Sequence, residues 1–182
     1  MFSNSTIERL PRYYRILRDL LQNGIFRVSS SDLSKKIGVS PSLVRNDLKE
    51  YQGSSIRGYG YNVKDLYKDI SLRLGVGDGF RVIILGGNES VYSSLSELLG
   101  GRGLISEGHI LSDAEIVVSD IALILDGYDM TDSTVELLEK MKCRCIWNMS
   151  FEDISATIPV YNLPIGDIIM MMCAEIRNKN EV

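Results

Sequence analysis

The first 75 residues place apolar side chains at helical intervals, interrupted by glycines and capping residues. The first pattern spaces its apolar positions by three and four residues, which predicts a helix with one inward face that ends at Gly24. Those positions are Ile7, Leu10, Tyr14, Leu17 and Leu21. A short second helix is predicted over SDLSKKIGV, and a third over SPSLVRNDLKEY, where Ser40 can cap the helix and Pro41 fits its first turn. Helices in this order are typical of a helix-turn-helix.

The segment after the third helix changes to a β-rich pattern punctuated by glycines. GSSIRGYGYNV predicts a β-hairpin, which would form a wing, and VKDLYKDISLRLG returns to a helical pattern. The glycine cluster at residues 75–79 then predicts a linker. We therefore predict a winged-helix domain over residues 1–76, with a boundary near residue 77.

From Phe80 onward, short apolar runs alternate with helical patterns. Apolar runs occur at RVIIL, GLIS, HIL, DIALIL, CRCIW and PVYNL, and helical patterns at SSLSELL, TVELLEKM and DIIMMMCAEIRN. Strands that alternate with helices predict a parallel sheet with crossover connections, although the first crossovers here are short. The predicted fold class is α/β, with a winged helix-turn-helix domain, a shortened Rossmann-like domain over residues 80–182 and a C-terminal helix that is swapped between chains.

Charge is divided unequally between the two predicted domains. Residues 1–75 carry 13 Lys and Arg against 7 Asp and Glu, whereas the remainder carries 7 against 17. The cationic part favours a polyanionic partner such as DNA. Three cysteines without a CxxC pair, and one His, support neither a disulfide framework nor a metal site. No apolar run reaches the roughly 18 residues of a membrane span and no signal peptide is recognisable, so we expect a cytoplasmic protein without membrane contact.

The third helix carries a polar, cationic face suited to a DNA major groove. Ser42, Arg45, Asn46 and Lys49 are spaced by three, one and three residues and lie opposite the apolar positions. Arg can bind guanine and Asn adenine in bidentate fashion, and each good pair contributes about 1–3 kcal/mol of base discrimination. We expect Ser42 and Lys49 to contact phosphates.

Further DNA-binding candidates lie outside this face. Arg57, beside Gly58 in the predicted wing, can enter the narrow minor groove of an A·T-rich sequence. Arg12 of the first helix and Ser40 before the third helix complete the predicted interface.

The stretches RLPRYYRILRDL, VSSSDLSKKIGVSPSLVRNDL and IRGYGYNVKDL resemble the N-terminal domain of the Rex family of redox-sensing transcriptional repressors. That family carries Arg-Lys-Asp-Leu on its recognition helix and Arg-Gly in its wing. The matching residues here are Arg45, Asp47, Leu48, Arg57 and Gly58, with Asn46 in place of the lysine. The resemblance implies a homodimer on double-stranded DNA with a palindromic operator, in which the C-terminal helix of one chain packs between the domains of the other. Half-sites would then lie at multiples of about 34 Å.

The resemblance also implies an NAD(H) site, and the sequence departs from it. A Rossmann phosphate site uses G-x-G-x-x-G, whose glycines make a tight turn, admit the pyrophosphate and let the helix pack closely. Here Gly86, Gly87 and Asn88 follow the strand. If Gly87 and Asn88 match the family's Gly-Asn, Leu85 replaces the first glycine and Ser90 the third; Gly86 takes the first position only with a deletion.

Other departures concern the same pocket. Glu107, after LIS, is the candidate acid for the ribose, about 20 residues beyond the glycines. The segment 99–120 is too short for a full second strand, helix and third strand. Carboxylates within residues 126–129 stand where the family's loop is apolar, and Pro164 stands where the family has an aspartate. We favour a degenerate domain kept mainly for dimerisation over an altered NAD(H) site or a site for another ligand.

The leading hypothesis is a sequence-specific DNA-binding transcriptional regulator of the Rex type, a repressor in which NAD(H) sensing is weakened or lost. The first alternative is a repressor that responds to NADH through an altered site. The second is a non-enzymatic partner that forms heterodimers with a Rex paralogue. We do not expect an enzyme, because His109 is solitary and no Tyr-x-x-x-Lys pair follows a nucleotide strand.

Overall fold

The computed structural model describes residues 4–56, 59–100, 107–110, 118–125 and 132–180. The chain divides into two compact units, Met1–Gly77 and Asp78–Val182, which are described separately. In the described ranges, no helix is both long enough and apolar enough to cross a membrane.

Unit 1 combines a helix-turn-helix with a small antiparallel sheet. Its helices are α1 (Asn4–Gln22), α2 (Ser30–Ile37), α3 (Pro41–Asp47) and α4 (Val63–Arg73), and a 3₁₀ helix covers Lys49–Ser54. The strands are β1 (Arg27–Val28), β2 (Ser55–Ile56) and β3 (Gly60–Asn62), in the order β1-β3-β2. The predicted hairpin therefore pairs with a strand β1 that the sequence pattern did not predict.

The turn between α2 and α3 is built by local signals in the sequence. Gly38 ends α2 in the left-handed region, at φ 78°, and its N–H donates to the Ser34 carbonyl over 2.8 Å. The hydroxyl oxygen of Ser40 accepts a 3.2 Å hydrogen bond from the Leu43 N–H, and Pro41 is the first residue of α3. These two caps set where the second helix of the pair begins.

The inward face of α1 differs from the prediction. Leu10 and Leu17 are fully buried, but Tyr13 is also fully buried, whereas Tyr14 is half-buried and Ile7 is 41% exposed. The buried face is formed by Leu10, Tyr13, Leu17 and Leu20, which have the same three- and four-residue spacing in a different register from the predicted face.

The third helix is shorter than predicted. It ends at Asp47, and the chain tightens into the 3₁₀ helix that begins at Lys49. Of the apolar residues in the predicted third helix, Val44, Leu48 and Tyr51 are buried and Leu43 is half-buried.

In the described residues, unit 2 has a five-stranded, all-parallel sheet with helices. The strands are β4 (Arg81–Leu85), β5 (Glu107–Ile110), β6 (Ile121–Ile124), β7 (Cys145–Asn148) and β8 (Val160–Asn162). The helices are α5 (Glu89–Gly100), α6 (Asp132–Lys140) and α7 (Ile165–Asn180). The strand order β5-β4-β6-β7-β8 matches the Rossmann order 3-2-1-4-5-6 with no strand at position 3 among the described residues.

Each face of the sheet has its own apolar cluster. On one face, Ile83, Leu85 and Ile124 pack with Leu138 of α6 and with Met141. On the other face, Val82, Ile84 and Leu123 pack beneath partly buried side chains of α5. These continuous apolar runs are typical of a parallel sheet covered on both sides.

The second strand overlaps one of the two apolar runs predicted in this region. The run HIL, at residues 109–111, shares two residues with β5 (Glu107–Ile110), whereas the run GLIS falls at residues 103–106, outside the described residues. Residues 111–120 alone connect β5 to β6, and a parallel crossover usually needs a dozen or more residues. The crossover is thus as short as the sequence indicated.

Candidate nucleic-acid interface and dinucleotide pocket

The polar residues predicted to read DNA are on the solvent side of unit 1. Ser42, Arg45 and Asn46 are exposed on α3, and Lys49 is exposed at the start of the 3₁₀ helix, not on α3 as predicted. Arg45 Nη1 donates to Ser30 Oγ, at the start of α2, over 3.2 Å. This bond restrains the guanidinium while leaving its other donors available.

The structure describes two of the four remaining DNA-binding candidates, Ser40 and Arg12. The hydroxyl of Ser40 caps α3 and lies 2.9 Å from the Ser42 hydroxyl. Arg12 is exposed on α1. Arg57 and Gly58 lie outside the described residues, directly before Tyr59, which is exposed.

A fully buried carboxylate ties α3 to α1. Asp47, the last residue of α3, accepts hydrogen bonds from Arg9 Nη2 at 2.6 Å and Arg9 Nε at 2.8 Å. The Tyr13 hydroxyl donates to it at 3.0 Å and the Thr6 hydroxyl at 3.1 Å. Sequence reasoning included Asp47 only as a family match. The available signal was its position three residues after Val44 and one before Leu48, on the inward face.

These contacts decide the protonation of the cluster. Burial works against the charged carboxylate, but the hydrogen bonds from Arg9, Tyr13 and Thr6 hold the pKa of Asp47 below its ordinary value. Burial, together with the negative charge of Asp47, raises the pKa of the Tyr13 phenol well above its usual range. At neutral pH the cluster therefore contains a carboxylate, a guanidinium and a neutral phenol.

The turn after β4 retains part of a phosphate-binding motif. Leu85 is a buried strand residue paired with Ile124, so the turn begins at Gly86, as in the alignment that requires a deletion. Gly86 and Gly87 have φ values of 84° and 75°, which favour glycine. Asn88 caps α5, because its side-chain oxygen accepts a 3.1 Å hydrogen bond from the Val91 N–H.

The position of Glu107 does not favour its predicted contact with a ribose, which stays a prediction. Glu107 is the first residue of β5 and is in register with Arg81, the first residue of β4. Ligands of such sheets bind at the carboxyl ends of the strands, and three residues of strand separate Glu107 from that edge by about 10 Å. The first acidic residue that follows β5 in the sequence is Asp113, which lies outside the described residues.

An apolar groove of about 430 Å³ opens at the carboxyl edge of β4, β6 and β7. It is lined by Gly87, Val91, Leu125, Met149, Phe151, Gly166 and Ile169. The Leu125 side chain lies against Gly87, and a Cβ atom at Gly87 would be 2.7 Å from Leu125 Cδ1. Leu125 therefore packs where a side chain at position 87 would lie, so this position favours glycine.

The residues of this edge fit a dinucleotide only in part. The glycine turn and the N-terminus of α5 suit a phosphate. Exposed Glu89 in the first turn of α5 opposes an anion, and Ser90 stands where the motif places its third glycine. Residues 126–129, with their predicted acidic loop, lie outside the described residues.

A buried amide network lies beside the groove. Asn148, fully buried, donates through Nδ2 to the Glu152 carbonyl at 2.6 Å and to Asn162 Oδ1 at 2.8 Å. Its Oδ1 accepts from the N–H and the hydroxyl of Ser150 at 3.1 and 2.7 Å. Pro164 is buried and directly precedes α7. The network thus holds the loop after β7 against the strand that leads into α7.

Other chemistry in unit 2 is sparse. In the part of the chain that the structure describes, no three His, Cys, Asp or Glu residues are placed to hold a metal ion. Burial raises the pKa of the Cys143 thiol to about 11, so this thiol is a packing residue.

Known protein families and individual proteins are similar in sequence to this chain, both at its N-terminus and over its whole length. Residues 2–49 match the family model described as "Putative DNA-binding protein N-terminus". The redox-sensing transcriptional repressor Rex of Clostridium botulinum (strain Hall) is 30% identical, and the match covers 98% of this chain and 97% of that protein. The Rex repressor of Caldanaerobacter subterraneus subsp. tengcongensis is 32% identical, over 81% of this chain and 76% of that protein.

Solved structures have the same fold. The structure of RSP with β-NAD+ and operator DNA aligns with a TM-score of 0.81, at 24% identity, and covers 99% of this chain and 94% of that one. RSP alone, described as a Rex-family repressor, gives 0.77 at 23% identity and covers 99% and 96%. The predicted α/β fold class is confirmed. The Clostridium alignment runs over 204 positions against 182 residues here, so that relative has residues with no counterpart in this chain.

Proposed function

Because this chain belongs to the Rex family of redox-sensing transcriptional repressors, we propose that it represses transcription by binding a palindromic operator as a homodimer, with a weakened or absent response to NAD(H). The family membership and the reduced response rest on different observations.

DNA binding is supported by the exposed surface of α3. Arg45 and Asn46 are exposed side by side, and both can form bidentate hydrogen bonds with base edges. The positive balance of residues 1–75 supplies the attraction to phosphates. RSP, which has the same fold, has been solved on operator DNA.

The proposed weakened response to NAD(H) is supported by the start of α5, where Glu89 places a negative charge and Ser90 replaces the motif's third glycine. RSP has been solved with β-NAD+ and with β-NADH, so the fold can hold the dinucleotide. In this chain, binding would bring a phosphate close to Glu89. The position of Glu107 at the amino end of β5 likewise does not favour a contact with the ribose.

Homodimerisation is supported by α7. Ile168, Ile169, Met170, Met171, Met172 and Ile176 are each more than half exposed in the single chain. An exposed apolar helix surface of this kind is typical of a protein interface, and methionines pack adaptably there.

The test starts from DNA selected by the protein itself. A random duplex library would be enriched on the purified protein, and binding of the selected duplex would be titrated with NADH present up to about 1 mM, enough to half-fill a site with a Kd of that size. We expect an enriched palindrome whose affinity changes less than about twofold with NADH. Failure to enrich a palindrome would refute the DNA-binding function, and release of the duplex by micromolar NADH would refute the weakened response.

A matched pair of variants locates the base-reading surface. Arg45→Ala should lower the preference for the selected duplex over a scrambled one by at least about fivefold, the lower limit for a bidentate base contact. Lys68→Ala removes the same charge from α4, outside the predicted interface, and should leave the preference unchanged.

A further inference from the structure

The Arg9–Asp47 cluster is more elaborate than the stability of unit 1 requires. A carboxylate at the C-terminal end of a helix opposes the helix dipole, and burial of Asp47 removes it from water. An apolar side chain could fill this position between Val44 and Leu48, which are themselves buried. Replacement of buried ion pairs by well-packed apolar groups is often neutral or stabilising, so the pair needs another explanation.

The hydrogen bonds to Asp47 fix the orientation of its carboxylate as well as its contact with α1. Asp47 Oδ1 accepts from Arg9 Nη2 and Thr6 Oγ1, and Oδ2 accepts from Arg9 Nε and Tyr13 Oη. The donors are spaced by three and four residues, so one face of α1 supplies all of them. A planar guanidinium that bonds both oxygens allows little rotation of the carboxylate, and the two hydroxyls bond one oxygen each.

This constraint acts one residue from the predicted base-reading side chains. Asn46 and Arg45 directly precede Asp47 on α3. Apolar packing alone lets a short helix turn or slide slightly, whereas hydrogen bonds weaken steeply with misalignment. Bidentate contacts with bases need the same angular accuracy, so the orientation of α3 about its axis sets how well Arg45 and Asn46 can read a sequence.

We propose that Asp47, held by Arg9, Tyr13 and Thr6, is a positioning residue for operator recognition, which orients the base-reading face of α3 relative to α1. The inference rests on the proposed DNA-binding function. It predicts that the cluster contributes to sequence discrimination beyond its contribution to the stability of unit 1.

The experiment compares specific with nonspecific binding. With the duplex selected by the wild type and a scrambled duplex, at one salt concentration and below the melting temperature of every variant, Asp47→Asn should lower the specific preference about tenfold. Its affinity for the scrambled duplex should stay within about twofold of wild type, because no phosphate contact is lost. Asp19→Asn makes the same change at an exposed acid of α1 and should alter neither value.

Two milder variants keep the test decisive if Asp47→Asn does not fold. Arg9→Lys keeps the charge but replaces the planar fork by a single ammonium, and Tyr13→Phe removes one donor from a buried ring. Both should lose preference, Arg9→Lys more than Tyr13→Phe. A lower melting temperature with unchanged preference in the folded variants would overturn the positioning role. Failure of the wild type to select any duplex would instead refute the proposed function.

Discussion

Asn148 offers the sharpest test of how unit 2 is held together. Asn148→Ala would remove a fully buried amide that takes part in four hydrogen bonds, and it would leave the Glu152 carbonyl and the Ser150 N–H without that partner. A typical intramolecular hydrogen bond contributes about 1 kcal/mol net, and an unsatisfied buried group costs about 1–3 kcal/mol. Some relaxation and the second bond of the Ser150 hydroxyl reduce the loss, so we expect about 3 kcal/mol.

The single tryptophan makes this loss measurable in unit 2 alone. Trp147 precedes Asn148 on β7, and unit 1 contains no tryptophan, so fluorescence in urea follows unit 2. With a slope of about 1.5 kcal/mol/M, the expected loss moves the urea midpoint down by about 2 M. Ser155→Ala, on the exposed side of the neighbouring loop, is the control and should not move it. A shift below about 0.5 M for Asn148→Ala would refute the reasoning from buried hydrogen bonds.

Two further predictions concern titration. Because the pKa of Asp47 is held below its ordinary value of 3.8, the stability that Asp47 contributes is complete well above pH 4 and is lost as the pH falls through the lowered pKa. Between pH 7 and pH 3, unit 1 of the wild type should therefore lose more stability than unit 1 of Asp47→Asn, as measured by thermal circular dichroism. Equal losses in the two proteins would contradict the ionised state assigned to Asp47. Because the pKa of the Cys143 thiol is raised to about 11, only about one molecule in a thousand carries the thiolate at pH 8. After treatment with iodoacetamide, mass spectrometry should find Cys143 unmodified until urea unfolds unit 2. Prompt modification in the folded protein would contradict the burial of this thiol.

The elements that the sequence predicted well are those whose signals are local. The caps at Gly38 and Ser40 and the helical pattern of α4 act within a few residues, so they could be recognised before any tertiary contact was known. The long apolar runs of β4 and β6 likewise indicated strands buried on both faces.

The parts that the sequence missed depend on distant partners. β1 has two residues and exists because it pairs with β3, so no periodicity could mark it. The inward orientation of Asp47 depends on Arg9, which lies 38 residues earlier. Without knowledge of that partner, an aspartate in the sequence predicts an exposed side chain. β5 has the sequence EGHI, and the predicted apolar run HIL covered only its last two residues, because Glu107 and Gly108 carry no apolar signal.

The exposed apolar surface of α7 makes the stability of the protein depend on its concentration. A chain that covers this face only by association gains stability by mass action, so the melting temperature of unit 2 should rise with protein concentration. The same association supplies the two-fold symmetry that a palindrome requires. Occupancy of the operator would then rise faster than in proportion to the number of chains, and a cell could set a threshold for repression by gene dosage alone.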